Sequence, residues 1–326
     1  MRMINNNNAA ANKSSVIFII NPQAKNGNCQ KVWLKVKQVL EHESISYSAC
    51  FTEYPGHAKE QARAFAEAAK GQRLDLIAVG GDGTLHEVVN GSALYPNVNI
   101  AFIPGGSGND FSRGFGVPKK PVSALNEILK GVDYRPVKTD IGVIRHTGDK
   151  ETYFINNMGA GFDAQVAEKV NSSKVKGLLN HFSLGKFVYV FFLVRELFTY
   201  KCSNLEIEID GKKHSFGSAW FVTLSNQPFY GGGMKISPDA NPFDGILNLT
   251  VVHNISKVKL LFVFATVFKG KHVAFEEVAV LEGKEITIRS SHSIPAHADG
   301  ELLGTTPMSV SVCENALSVI LKKKGK

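Results

Sequence analysis

No C-x-x-C pair occurs in this sequence, and its four cysteines, Cys29, Cys50, Cys202 and Cys313, are widely scattered. That spacing argues against a zinc site, a redox pair and a secreted disulfide scaffold. The ten histidines form no zinc spacing either. No apolar run reaches the ~20 residues that cross a bilayer. The most apolar runs are FVYVFFLVRELF (187–198) and KLLFVFATVF (259–268), which read either as buried core or as a lipid-facing surface. The first residues, MRMINNNNAAANKSS, lack the apolar stretch of a secretory leader. Residues 1–14 read as a disordered polar tail, and a cytoplasmic protein is expected. Neither the P-loop pattern G-x-x-x-x-G-K-[ST] nor the dinucleotide pattern G-x-G-x-x-G is present in the first strand-helix unit. The basic residues are dispersed and form no recognition motif, so nucleic acid is not an expected partner.

What is present is an ordinary folded composition. The chain has 326 residues, 44% hydrophobic and 20% charged. That length suggests about two domains with a sizeable core. The net charge of +8 favours an anionic partner such as a nucleotide or an acidic membrane surface. A solvated, slightly basic surface would give the same number.

The first 140 or so residues repeat one theme: an apolar strand, a Gly/Asn-rich loop, then a helix. VIFII (16–20) leads through NPQAKNGN (21–28) to a helix with Val32, Val36 and Val39 on one face. YSACF (47–51) leads through TEYPGHA (52–58) to a helix carrying Ala58, Ala62, Phe65, Ala66 and Ala69. LDLIAVG (74–80) and NIAFIP (99–104) each end in glycines before another helix. Alternation of this kind predicts a three-layer, doubly wound parallel sheet over residues 15–138. Its ligands bind beyond the carboxyl ends of the strands, where all these loops lie.

From about Thr139 the helical alternation fades. NLEIEID, Gly211 and KKHSF read as a hairpin with an Asp-Gly turn. SAWFVTLS, GILNLTVV, VAVLEGKEITIRS and MSVSV also read as strands, which predicts an antiparallel β domain over 139–305. Helices are expected near 163–170 and 185–198. The segment 306–324 reads as a last strand that completes the first domain.

Two loops carry the chemistry. GGDGT (80–84) and GGSGN (105–109) follow consecutive strands. Glycine lets the backbone bring N–H groups against a ligand, and a helix N-terminus adds partial positive charge. Together they make a phosphate cradle; tight packing turns are the alternative. Asp82 sits within this cradle, where a bare carboxylate would repel phosphate. It either meets a magnesium ion carried by the phosphates or caps loop backbone.

GGDGTLHEVVNG (80–91) resembles the diacylglycerol kinase catalytic family, which includes sphingosine and bacterial lipid kinases. NPQAKNG (21–27), PGGSGNDFSRGFG (104–116), TDIG (139–142), PFDGILNL (242–249) and ADGE (298–301) resemble further motifs of that family, in its order. Ser107 stands where threonine is commoner. The resemblance implies an NAD kinase/phosphofructokinase-like α/β domain, followed by a β-sandwich. It also implies a kinase using ATP and Mg2+. Asn21, Pro22, Gln23, Ala24, Lys25, Thr52, Gly80, Gly81, Asp82, Gly83, Thr84, Leu85, His86 and Ser107 would line the ATP site. Asp299 and Glu301 would supply the general base, with Asp82 at the catalytic metal. Asp140, Asn109, Asp110 and Arg113 would face the substrate, although Asp140 also suits a structural turn. Asp244 and the carbonyls of Asn241 and Ile246 would hold a structural magnesium, or form a metal-free turn. His297, at a strand end, reads as structural before catalytic.

A lipid acceptor met at the membrane surface accounts for the apolar runs. FVYVFFLVRELF with Lys174, Lys176 and Lys186 fits such a peripheral surface, at the inner membrane face. An NAD kinase shares the Gly-Gly-Asp-Gly loop, but the G-S-G-N-D-F-S-R loop has the lipid-kinase form. A retired kinase scaffold acting as a regulator is a third reading, opposed by the presence of Asp82, Asp299 and Glu301. A homodimer is the default assembly.

Overall fold

A computed structural model describes residues 3–6, 15–130, 134–146, 150–172 and 195–322. The chain forms two compact units: residues 1–141 with 314–326, and residues 142–313.

The first unit is built as β1 (Met3–Asn6), β2 (Ser15–Ile20), α1 (Asn28–His42), β3 (Tyr47–Phe51), α2 (His57–Ala68), β4 (Leu74–Gly80), α3 (Asp82–Ser92), β5 (Val98–Pro104), α4 (Asp110–Phe115), α5 (Pro121–Leu129) and the start of β6 (Tyr134–Arg145). The central strands lie in the order β3-β2-β4-β5, all parallel. The chain leaves β2 for β3 on one side and returns to β4 on the other. The loops after β2 and β4 therefore flank a topological switch point, where such sheets open a crevice for ligands.

Both faces of this sheet are covered. Phe18, Ile20, Ile77, Val79, Ala101 and Ile103 alternate along the strands and pack with Trp33, Val36 and Leu40 of α1 and Leu125 of α5. Their neighbours Ile17, Ile19, Leu76, Ala78, Ile100 and Phe102 are buried as well, and α2 packs with α3. The buried stripe of α1 is Cys29, Trp33, Val36 and Leu40. Val32 and Val39, expected on that stripe beside Val36, are only half-buried at its margin. Trp33 displaces them because its ring fills the space between Phe18, Tyr47 and Phe51.

Two features differ from the sequence reading. Within residues 1–14, expected as a disordered tail, Met3–Asn6 forms an edge strand antiparallel to Tyr47–Cys50. Edge pairing is made by main-chain groups and needs no apolar pattern, so the polar sequence concealed it. The expected helix at 185–198 falls mostly outside the described residues; 195–199 are helical.

The second unit is an antiparallel sandwich. It holds β7 (Glu151–Phe154), β8 (Asn157–Gly161), α6 (Phe162–Ser172), β9 (Ser203–Ile209), β10 (Lys212–Ser225), β11 (Phe229–Tyr230), β12 (Met234–Lys235), β13 (Leu247–His253), α7 (Lys257–Val267), β14 (Val278–Gly283), β15 (Glu285–Ser290), β16 (Pro295–Ala298), β17 (Glu301–Thr305) and the first part of β18 (Met308–Lys322). Asp210 and Gly211, at φ +48° and +80°, make the hairpin turn between β9 and β10. β10 pairs with β9 along its first half and with β8 and β13 along its second, with an irregularity between Phe216 and Ala219. Such a bulge lets one strand pass between two sheets. The core holds Phe154, Met158, Leu205, Ile207, Leu224, Leu249, Ile288 and Val310. β18 pairs with β15 at Met308–Ser311, and further along runs parallel to β5 at Ser318 and Val319.

Candidate active site

The first-unit loops are stitched together at the carboxyl ends of the strands. Asn21 N–H donates to Val79 O at 3.0 Å, and Thr52 N–H to Ile20 O at 2.8 Å. Asn21 Nδ2 donates to Thr84 Oγ1 at 3.2 Å, while Asn21 Oδ1 accepts Gln23 N–H at 3.1 Å. Lys25, Asn26 and Gly27 all have positive φ, and Gly27 N–H to Gln23 O and Asn28 N–H to Lys25 O close this turn before α1 starts. Gly105 N–H donates to Gly80 O at 2.7 Å. A Cβ on Gly106 would collide with Gly81 Cα, so the two Gly-rich loops touch backbone to backbone. No residue but glycine permits that approach. Asn109, at φ +54°, locks the second loop by accepting Gly106 N–H and donating to Gly106 O.

Asp82 opens α3. Its Oδ1 accepts Phe111 N–H at 3.2 Å, so the carboxylate anchors the start of α4 on the neighbouring loop. Oδ2 faces Gly108: a Cβ there would lie 2.8 Å from it and 4.0 Å from Asp110 Oδ2. Two carboxylates thus converge on one glycine. Among the described residues, no three His, Cys, Asp or Glu side chains gather as a metal cage. Magnesium with a nucleotide asks for less: one or two carboxylates, with phosphates and waters completing the shell. Asp82 and Asp110 fit that donor set.

The other expected residues divide by burial. Pro22, Ala24, Thr52, Gly81 and Gly83 are half-buried at the loop edge, and Gln23, Lys25 and Ser107 are exposed there. Leu85 is fully buried in the core, and His86 is buried with Nε2 3.3 Å from Asn90 Nδ2. Their side chains serve α3 packing. Asp110 is buried, and its Oδ1 accepts from Arg113 Nη1 at 2.9 Å. Arg113 Nη1 also donates to Gly108 O, which closes the loop on itself. Asp140 is 2% exposed and accepts Asn315 N–H at 2.7 Å, joining β6 to β18. Asp140 lies within β6 and not at the turn expected as its alternative role, and its contact there is structural.

In the second unit, Asp299 is held by three main-chain donors. Its Oδ2 accepts Ile155 N–H at 3.1 Å, and Oδ1 accepts Asn156 N–H at 2.9 Å and Asn157 N–H at 3.2 Å. Asp299 takes a left-handed φ of +50° just after β16, which aims the carboxylate at this segment. Glu301 is exposed at the start of β17. Asp244 Oδ1 accepts Ile246 N–H at 3.1 Å across Gly245, at φ +72°. That hydrogen bond closes the Asp-Gly turn.

Sequence reasoning left one cluster unassembled, two residues before Asp299. His297 is buried, with Nε2 2.7 Å from the Tyr230 hydroxyl and 3.3 Å from Asp163 Oδ2. Tyr230 donates to Asp163 Oδ2 at 2.8 Å. Asp163 Oδ1, His297 Nδ1 and the Tyr200 hydroxyl are buried without a hydrogen-bond partner among the described residues. Burial, with the Asp163 charge second, pushes the Tyr200 hydroxyl pKa well above its usual range. Asp163, Tyr230 and His272 are the polar side chains lining a cavity whose other walls are apolar, among them Phe162, Val166, Phe221, Met234 and Val263.

A family model for the diacylglycerol kinase catalytic domain matches residues 15–142, and one for the YegS C-terminal NAD kinase beta sandwich-like domain matches 156–321. A Bacillus subtilis chain, YtlR, described as a candidate lipid kinase, is 34% identical over 93% of this chain and 98% of its own length. The chain belongs to the diacylglycerol kinase catalytic-domain family. By that membership the enzyme is a lipid-kinase-type phosphotransferase. A diacylglycerol kinase of Mycobacterium tuberculosis is 28% identical over 95% of this chain and 96% of its own. A solved Bacillus anthracis structure, described as a candidate diacylglycerol kinase, shares the kinase's fold with a TM-score of 0.74 at 24% identity, covering 97% and 98% of the two chains. Yeast NADH kinase is a more distant fold neighbour, at a TM-score of 0.51 and 14% identity over 96% and 84%.

Proposed function

We propose that this enzyme transfers the γ-phosphate of ATP to the hydroxyl of a membrane lipid of the diacylglycerol type. The first unit takes the nucleotide. Main-chain N–H groups of the 81–83 and 107–109 segments, at and beside the N-terminus of α3, supply donors for phosphate oxygens, with the 21–27 loop braced beside them. Asp82 and Asp110 would hold Mg2+, which when bound neutralises charge developing on the phosphates. The second unit takes the lipid. Its largely apolar cavity, lined also by Asp163 and Tyr230, which hydrogen-bond His297 behind them, is the observation that carries the lipid assignment. A dinucleotide acceptor would bring phosphates that such walls cannot solvate.

In the reaction the lipid hydroxyl oxygen bonds to the γ-phosphorus, and the bond from that phosphorus to the β–γ bridging oxygen breaks. ADP leaves with the electron pair. The hydroxyl proton passes to a carboxylate, for which Asp299 and Glu301 are the assigned groups. Asp299 is held in place by Ile155, Asn156 and Asn157. Glu301, being exposed, is free to follow the acceptor. The enzyme works at a membrane surface, where its substrate resides. We further assign Asn241, Asp244 and Ile246 as a structural magnesium loop, to be tested by the metal content of Asp244→Ala.

The test is transfer of labelled γ-phosphate to dioctanoylglycerol, monoacylglycerol, a sphingoid base and NAD. Label in dioctanoylglycerol is expected. Label in NAD and in no lipid would overturn the assignment.

A further inference from the structure

α7 (Lys257–Val267) is apolar on every side: KVKLLFVFATV has no polar residue between Lys259 and Thr266. A helix of that kind is normally fully buried or inside a membrane. This one is not fully buried. At 11 residues it is far short of a span, and only Leu260, Val263 and Val267 are buried. The opposite face carries Val258, Leu261, Phe262, Ala265 and, one residue past the helix, Phe268. These fall at i, i+3, i+4, i+7 and i+10, a single stripe. Val258 is 67% exposed, Phe262 70% and Phe268 56%. Phe198 adds a further ring at 65% exposure, tied to the helix start by Lys257 Nζ, which donates to Phe198 O at 2.7 Å. Contiguous apolar exposure of this sort marks a contact surface.

The charges around the stripe select the partner. Lys257, Lys259, Lys269 and Lys271 bracket it, and no Asp or Glu lies between residues 256 and 271. Lys259 pairs with Glu277; Lys269 and Lys271 are exposed. Apolar side chains with lysines at both ends, on a helix lying flat, match the boundary of an anionic bilayer. The inner face of the same helix adds a second argument. Leu260, Val263, Phe264 and Val267 wall the apolar cavity, and Leu261 both lines that cavity and is 42% exposed. Leu261 is therefore shared between the exposed stripe and the cavity wall.

We propose that the outer face of α7, with Phe198 and Phe268, is the membrane-docking surface of this kinase, inserting into an anionic bilayer so that a lipid chain enters the cavity past Leu261. This rests on the lipid-kinase reading and adds the element that meets the membrane. The run 187–198 with Lys174, Lys176 and Lys186, expected from sequence as that surface, lies outside the described residues apart from positions 195–198.

The test uses full-length protein without ATP, sedimented with vesicles of equimolar phosphatidylglycerol and phosphatidylcholine. Val258→Asp with Phe262→Asp is expected to lower the partition coefficient at least tenfold. Lys269→Glu with Lys271→Glu is expected to remove most of its salt dependence. The fluorescence of a Phe262→Trp variant should blue-shift on binding and be quenched by brominated acyl chains. In parallel, turnover is measured on dioctanoylglycerol kept below its micelle concentration. Because Val258 and Phe262 do not line the cavity, the double Asp variant should keep its turnover on this soluble acceptor. Wild-type affinity for vesicles in that variant would overturn the proposal, and so would Phe262→Trp fluorescence that the brominated chains leave unquenched. A wild-type dimer that the variant splits to monomer, with vesicle affinity intact, would instead assign the face to a second copy and overturn it. Loss of turnover on the soluble acceptor would also overturn it, by showing a structural defect. If wild type binds vesicles through α7 but phosphorylates no lipid, docking stands and the lipid-kinase reading alone fails.

Discussion

Removing the Asp299 side chain should destabilise the second unit before it affects any chemistry. Its carboxylate accepts three N–H groups, from Ile155, Asn156 and Asn157, and all three residues are buried. Each hydrogen bond to a charged acceptor is worth about 1.5–3 kcal/mol, and an unsatisfied buried donor costs about 1–3 kcal/mol. In Asp299→Ala, water can reach part of the site because Asp299 is half-buried and Gly300 exposed. With one donor rehydrated, two losses remain, or roughly 3–6 kcal/mol. Asp299→Asn keeps one oxygen for Asn156 and Asn157 but turns an amide group on Ile155 N–H, so one loss of about 1.5–3 kcal/mol is expected. Trp220 belongs to the second unit and Trp33 to the first. Urea unfolding of a Trp33→Phe background, followed by fluorescence, therefore reports the second unit alone. At a slope of about 1–3 kcal/mol/M the Asp299→Ala midpoint should fall by roughly 1–6 M, the larger shift at the shallower slope. A loss under about 1 kcal/mol in Asp299→Ala, or an order reversed between Ala and Asn, would refute the anchoring argument. Turnover separates the second role: a neutral carboxamide cannot take a proton, so folded Asp299→Asn should lose about 10²–10⁴-fold if Asp299 is the base.

Gly106→Ala forces the 105–109 loop away from Gly81, and isothermal titration with a non-hydrolysable ATP analogue should show affinity at least tenfold weaker; unchanged affinity would remove that loop from the nucleotide site. Glu87 accepts Gly56 N–H at 2.8 Å and Ala58 N–H at 3.0 Å at the start of α2, so Glu87→Ala should cost the first unit about 1–2 kcal/mol by Trp33 fluorescence in a Trp220→Phe background. Burial lowers the His272 pKa from its ordinary 6.5, only partly opposed by the hydrogen bond to Ile236 O. The unfolded chain therefore binds a proton there that the folded chain resists, and stability should fall as pH drops below about 6.5; His272→Gln should flatten this decline in urea titrations at about pH 7.5 and about pH 5.5. Burial also pushes the Cys29 thiol up to about 11, whereas Cys313 is exposed. Iodoacetamide at about pH 8 should label Cys313 in the folded protein and leave Cys29 unmodified; equal labelling would contradict the packing of α1.

The strand-loop-helix order of the first unit was legible because its signals are local. Apolar runs of strand length, glycines at the strand ends and a 3.6-residue stripe are all written within a dozen residues. The Asp210-Gly211 hairpin was legible for the same reason, since positive φ demands those residue types. β1 was not, because its edge pairing uses only main-chain groups. Nor could pattern tell what α7 does: a helix apolar all round has no stripe to indicate which face the fold will cover.

The sequence by itself determined the loop chemistry: which turns could expose N–H groups, and which carboxylates stood among them. Those properties depend on residue type and immediate neighbours. Only the tertiary structure decided how each carboxylate is used. Asp82 reaches Phe111 N–H across 29 positions and Asp299 reaches Asn156 N–H across 143. Asp140 is taken up by Asn315, and Asp163 meets Tyr230 and His297 beside an apolar cavity. A carboxylate's role is set by the donors around it, and donors so distant along the chain are brought to it by folding alone.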